Sequence, residues 1–178
     1  MINDANVLSQ GRDGFMNTGD SNSVQFDFTM LRIAHGTEPT DDLVYILSSF
    51  AYAEGSALIN SLKSLGNLLE YKAICDIDPV TQMALLQYCI SLARHDMRDV
   101  RYFAATCLTE FCSTAFSEAA LQCLAEMMQV DHPEVRIRIL RKLKEKGLSS
   151  DTRDYIVQQG RVDNNWAVRR VASELTDV

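Results

Sequence analysis

Apolar side chains recur at helical spacing along most of the chain from residue 41 onward. One set falls at i, i+3, i+4, i+7, i+8 and i+11: Val100, Phe103, Ala104, Cys107, Leu108 and Phe111. A similar stripe precedes it and consists of Leu58, Leu62, Leu65 and Leu69. This spacing places the apolar side chains on one face of a helix. We therefore predict helices over residues 41–53, 56–73, 80–93, 100–111, 117–130, 133–146, 151–159 and 165–175.

Residues 1–40 have a different pattern. The first 23 are rich in Asn, Asp, Ser, Gly and Thr, which favour turns. Residues 24–30 then alternate apolar and polar, which fits a strand or the start of a short helix. Gly36 and Pro39 interrupt the chain before residue 41. We predict a partly irregular N-terminal arm or cap over 1–40 and a helical domain over 41–178.

Three segments repeat one motif, in which an aspartate precedes a Val-Arg pair. The pairs are Val100-Arg101, Val135-Arg136 and Val168-Arg169, separated by 35 and then 33 residues. The aspartate lies four residues before valine in the first two segments and five before it in the third. A fixed period in this range is typical of stacked two-helix units. We predict an all-α fold, an α-solenoid of about four antiparallel helix pairs.

This motif resembles the second helix of HEAT repeats, particularly the short variety of the phycobilisome-lyase-like group. The resemblance covers residues 79–178, and the pair over 41–73 matches only in its helix lengths. In such repeats the aspartate and the arginine commonly form a ladder of ion pairs and hydrogen bonds between neighbouring units. The resemblance thus implies a structural ladder of Asp96, Arg101, Asp131, Arg136, Asp163 and Arg169.

Negative charge is concentrated in the first half of the chain. The net charge is -7, and residues 1–90 contain 11 acidic and 4 basic side chains, whereas residues 91–178 are balanced. An acidic surface favours association with a cationic protein and disfavours nucleic acid, although negative charge also simply aids solubility. We predict that a basic partner contacts acidic residues near helix ends: Asp41, Asp42, Glu54, Glu70, Asp76 and Asp78.

The sequence contains no pattern that supports catalysis, a cofactor or a metal site. Its three histidines, His35, His95 and His132, are not paired with cysteines at metal-ligand spacing. The five cysteines form no CxxC pair and are expected to be reduced, packed thiols: Cys75, Cys89, Cys107, Cys112 and Cys123. The first residues show neither the basic nor the apolar region of a secretory leader, and the sequence contains no apolar run of 18 residues. We expect a cytoplasmic protein without a membrane partner.

The most cationic stretch is 136–146, where we expect the basic side chains beyond Arg136 to occupy the outer face and last turn of a helix. At the next helix start, we expect Ser117 to be the N-cap.

These observations favour a non-catalytic protein–protein interaction module, in its sharpest form an acidic inhibitor such as an immunity protein that neutralises a nuclease toxin. The resemblance leaves a second function open, because short HEAT repeats occur in bilin lyase subunits that handle chromophores. A third alternative is a nucleic-acid binder that uses the helix over 136–146, which the net negative charge disfavours.

Overall fold

The computed structural model describes residues 53–71, 74, 77–147 and 151–175. Within these ranges it is all-helical, with seven helices and no strand. The helices are α1 (Gly55–Tyr71), α2 (Pro79–Leu92), α3 (Arg98–Phe111), α4 (Ser117–Val130), α5 (Pro133–Lys146), α6 (Asp151–Arg161) and α7 (Trp166–Ser173). Seven of the eight predicted helices are therefore confirmed, with ends shifted by a few residues. The predicted helix over 41–53 and the arm over 1–40 lie outside the described residues, apart from residue 53.

Three helices begin where a side chain accepts hydrogen bonds from backbone N–H groups of the first turn. The capping residues are Asp78 before α2, His132 before α5 and Asn165 before α7. In the first two, the next residue is a proline, Pro79 or Pro133, which lacks an N–H and has the φ angle that a helix requires. Short polar breaks thus fix the points at which the chain re-enters a helix.

The start of α4 differs from the prediction. Ser117 is the first helical residue, and Phe116 occupies the N-cap position without a side-chain cap. The nearby Thr114 hydroxyl instead accepts from the Phe116 N–H at 3.1 Å and donates to the Phe111 carbonyl at 2.8 Å. The prediction failed because the tight turn over 112–116, which connects α3 to α4, contains its own acceptor, the Thr114 hydroxyl that binds the Phe116 N–H.

The helices pack in an alternating pattern. The odd-numbered helices α1, α3, α5 and α7 contact one another in chain order, and the even-numbered helices α2, α4 and α6 do the same. Each helix from α2 onward also packs against the next one along the chain. We call the first set the odd row. The central helix α3 contacts α1, α2, α4 and α5, and consequently every residue from Ala104 to Phe111 is buried.

The apolar faces predicted from the spacing form the core. Leu58, Leu62, Leu65 and Leu69 of α1 are at most 3% exposed. The α3 stripe is equally buried except for Phe103, which is half-buried at the edge of the core. Removal of these side chains from water supplies about 25 cal/mol for each Å² of apolar surface, which makes this shared core the main stabilising contribution.

Gly160 lets α6 pack closely against α5 and α7. A Cβ atom there would lie 2.9 Å from the Cβ of Ala172 in α7 and 3.0 Å from Cδ1 of Leu140 in α5. Gly66 in α1 is a matched control, because its Cβ would meet Cys107 and Thr106 only at ordinary distances of 3.7 and 3.8 Å.

We predict that Gly160→Ala destabilises the protein by about 1–3 kcal/mol, because the added methyl group overpacks three helices. Gly66→Ala should instead be neutral or stabilising by up to about 1 kcal/mol, because alanine favours a helix interior. Urea denaturation monitored by circular dichroism measures both changes. Equal stability of the two variants would contradict the close packing of α6.

Candidate functional site

Arg101 links two successive repeats at the start of α3. Its Nε lies 3.0 Å from both carboxylate oxygens of Asp131, and Nη2 donates to Asp131 Oδ1 at 3.0 Å. Its Nη1 donates at 2.8 Å to the backbone carbonyls of His95 and Asp96. One guanidinium therefore fixes the turn before its own helix and the turn before α5. Asp131 is almost fully buried, with a side chain 3% exposed.

Arg136 repeats this arrangement one unit further along. Its Nη1 donates to the Asp131 carbonyl, and its Nε lies 2.8 Å from Oδ2 of Asp163. Its Nη2 donates to Asp163 Oδ1 at 2.9 Å and to Asn164 Oδ1 at 3.3 Å. The side chains of Arg136 and Asp163 are 10% and 7% exposed, so this charge pair is largely removed from water.

Arg169 binds the turn before its own helix, which is the first of the two contacts that Arg101 and Arg136 make. Its Nη1 donates to the carbonyls of Asp163 and Asn164 at 2.7 and 3.0 Å. The extra residue of the third motif allows Asn165 to cap α7 by accepting from the backbone N–H groups of the first turn. Asp163 thus remains available to Arg136, and its Oδ1 also accepts from the Asn165 N–H at 2.8 Å.

At the other end, Asp96 takes part through its backbone carbonyl alone. Its side chain is exposed and forms no ion pair with a described residue. The preceding odd-row helix, α1, contains no arginine that would reach it. Two links between units, Arg101–Asp131 and Arg136–Asp163, therefore join the three units over the described residues.

The six acidic residues of the predicted partner surface have different surroundings. Asp41, Asp42 and Asp76 lie outside the described residues. Glu54 is exposed just before α1. Glu70 is also exposed, and its Oε1 accepts from Lys142 Nζ at 3.1 Å. Asp78 caps α2, where hydrogen bonds from the Thr81 side chain and from backbone N–H groups lower its pKa and outweigh the effect of burial.

Four of the five cysteines lie within the described part of the chain, and all four are buried. The prediction that they are packed thiols is confirmed for Cys89, Cys107, Cys112 and Cys123. A hydrogen bond with Cys89 and burial raise the pKa of Cys107, whereas burial is the main cause that raises the pKa of Cys112 to about 12 and that of Cys123 to about 11. A cysteine nucleophile requires the opposite shift.

The cationic helix α5 differs from its predicted arrangement. Lys142 was expected to face solvent, but it is 4% exposed and its Nζ lies 3.1 Å from Glu70 and 2.8 Å from Glu145. Burial lowers the pKa of Lys142, but the hydrogen bonds to both glutamates outweigh that effect and raise it. Lys146 likewise pairs with Glu110, which is 2% exposed. These contacts connect α5 to α1 and α3.

A groove of about 440 Å³ lies beside the first link between units. Its wall includes Arg101 and Asp131, and its apolar lining includes Cys123 and Met127 of α4. Among the described residues, no group of three or more His, Cys, Asp or Glu side chains is placed to hold a metal ion. In the same ranges, no helix has both the length and the apolar character needed to cross a bilayer.

Comparisons with protein-family models, curated proteins and solved structures found no match to this chain.

We predict that Arg136→Met destabilises the protein by about 3 kcal/mol, because it leaves the buried Asp163 carboxylate without its cation. Arg169→Met, at the equivalent position of the next unit, should cost under about 1 kcal/mol, because Arg169 is exposed and binds only carbonyl groups. Chemical denaturation of both variants measures the difference. Equal losses would show that the contact between units contributes nothing beyond the local turn.

Proposed function

We propose that this protein is a non-catalytic protein-binding module built as an α-solenoid of HEAT-like helix pairs. The observation that carries the proposal is the repeated arginine contact, in which one guanidinium fixes its own turn and binds the aspartate of the next unit. The same contact recurs with the period of the motif. Recurrence of this kind supports a regular stack of two-helix units.

Such a stack is better suited to binding another protein than to catalysis. Its regular geometry comes from contacts between neighbouring units, so its outer surface is extended and its polar interior groups are engaged in structural bonds. Arg101, Arg136 and Lys142 are examples of such engaged polar groups, because each is bound to a carboxylate of another helix or turn. The buried thiols have raised pKa values. None of these groups has the properties of a nucleophile or a general base.

The partner that the charge distribution favours is a basic protein. All of the excess negative charge belongs to residues 1–90, and Glu54 and Asp78 expose carboxylates there. Opposite charge raises the association rate and selects against acidic partners. An inhibitor of a cationic enzyme, such as an immunity protein, is the most specific form of this proposal.

The experiment uses the immobilised full-length chain and an extract of the cells that produce it. We expect a basic protein to be retained at about 50 mM salt and released at about 500 mM, because salt screens exposed charges. The variant Asp41→Lys/Asp42→Lys/Glu54→Lys should lose this partner. The matched control Glu118→Lys/Asp151→Lys/Asp154→Lys changes the net charge equally, at exposed positions in the second half, and should retain it.

An acidic retained partner would contradict the proposal, and so would retention that is insensitive to salt. Equal loss with both triple variants would show that net charge, and not the first half of the chain, governs binding.

A further inference from the structure

A row of cations and aromatic rings crosses three helices of the odd row. Lys63 Nζ of α1 lies 5.1 Å from the ring centre of Phe103 in α3. The Phe103 ring meets that of Tyr102 edge to face, with centres 5.2 Å apart. The guanidinium of Arg138 in α5 lies 5.4 Å from the Tyr102 ring centre. We call Lys63, Tyr102, Phe103, Arg138 and Arg141 the cation–aromatic patch.

The patch is accessible to solvent, and a hydrogen bond to α3 holds one of its cations in place. Lys63 and Arg141 are exposed, whereas Tyr102, Phe103 and Arg138 are half-buried. Arg138 Nε donates to Thr106 Oγ1 at 2.9 Å, which holds its side chain against α3. Arg141 follows Arg138 by three residues on the same helix and so lies on the same side of it. The cations therefore lie beside the two aromatic rings, and the hydrogen bond to Thr106 fixes the position of one of them, Arg138.

The three cations of the patch, Lys63, Arg138 and Arg141, have no carboxylate partner among the described residues. Nearby acidic side chains are engaged elsewhere: Glu134 with Arg98 at 2.9 Å, and Glu70 and Glu145 with Lys142. The buried Glu110 pairs with Lys146. In a chain with a net charge of -7, a surface on which cations remain uncompensated is an unusual local feature. It favours a ligand that brings negative charge.

We propose that the cation–aromatic patch binds an acidic peptide segment of another protein. Carboxylates of the segment contact Lys63, Arg138 and Arg141, and an aromatic or aliphatic side chain between them packs on Phe103 and Tyr102. Guanidinium groups bind carboxylates in a two-point geometry, and the aromatic faces supply apolar area at low entropic cost. The spacing of the cations over three helices suits an extended segment.

A peptide fits these observations better than a nucleic acid does. Binding of a nucleic acid depends on neutralising many phosphates, commonly about 6–10, with a matching release of counterions. The patch offers only three cations without carboxylate partners, and the net negative charge of the chain repels a long polyanion. A segment with a few carboxylates and one apolar side chain requires no more than the patch provides.

This inference does not rest on the basic partner proposed above, because it concerns different residues with the opposite charge. The acidic residues reversed in the earlier experiment do not belong to the patch. Failure of one proposal therefore leaves the other intact.

The test measures fluorescence anisotropy of a labelled peptide in which glutamates flank a central phenylalanine. Full-length protein should bind this peptide at low salt and should not bind a version with glutamine in place of glutamate. The variant Lys63→Gln/Arg141→Gln should weaken binding by about three-fold or more, because it removes two exposed charge contacts. The control Arg94→Gln/Arg161→Gln removes the same charge at exposed positions outside the patch and should leave affinity unchanged.

Lys63 and Arg141 carry no ion pair with a described residue, so the test variant should fold like the parent, which circular dichroism verifies. Three outcomes would overturn the proposal: no binding of the glutamate peptide, equal weakening by both double variants, or tighter binding of a thymidine oligonucleotide of the same length. The last outcome would reassign the patch to nucleic acid.

Discussion

The contact between an arginine of one unit and the aspartate of the next is the constraint on which the rest of the structure depends. Arg101 and Arg136 each bind backbone carbonyls of their own turn and a carboxylate one unit further along. A single planar guanidinium thereby fixes both the turn before its own helix and the distance from that turn to the neighbouring one. Because the acceptors are buried, loss of the arginine would leave desolvated carboxylates, which makes the geometry costly to change.

Apolar packing and this polar contact have separate roles. The burial of leucine, alanine and cysteine side chains between rows supplies most of the stabilisation, but it is compatible with small shifts of one helix along another. Directional bonds remove that freedom. The ion pairs of α5, Lys142 with Glu70 and Lys146 with Glu110, extend the same effect to α1 and α3. The odd row is thus connected by ion pairs as well as by its core.

The sequence was sufficient to predict the local elements but not the long-range pairing of charged side chains. Helical spacing located α1 to α7, and proline, glycine and capping residues located most of their ends. The recurring motif contained Arg101 and Asp131, and the resemblance to HEAT repeats implied a ladder contact for both; the structure places these two side chains in direct contact. Lys142 was expected on the outer face because a cationic run usually faces solvent, yet its partner Glu70 is 72 residues away along the chain. Periodicity within one helix contains no information about such a partner.

The cation–aromatic patch was missed for the same reason. Phe103 was assigned to the core by its spacing, and only the packing of α1 and α5 on either side of α3 brings Lys63 and Arg138 to the aromatic rings. A signal existed in retrospect, since Tyr102-Phe103 and Arg138 occupy nearly equivalent positions of consecutive motifs. Its use requires the knowledge that α3 packs directly against α5, which is a property of the tertiary packing and not of one segment.

A double-mutant cycle on Arg101→Met and Asp131→Asn tests the central claim most directly, with exposed Arg94 and Glu126 as the reference pair. If neighbouring units are held together by the arginine contact, the free energies of unfolding should show a coupling of about 1.5–3 kcal/mol for the first pair and under about 0.5 kcal/mol for the second. A coupling for Arg101 and Asp131 no larger than that of the reference pair would contradict the claim.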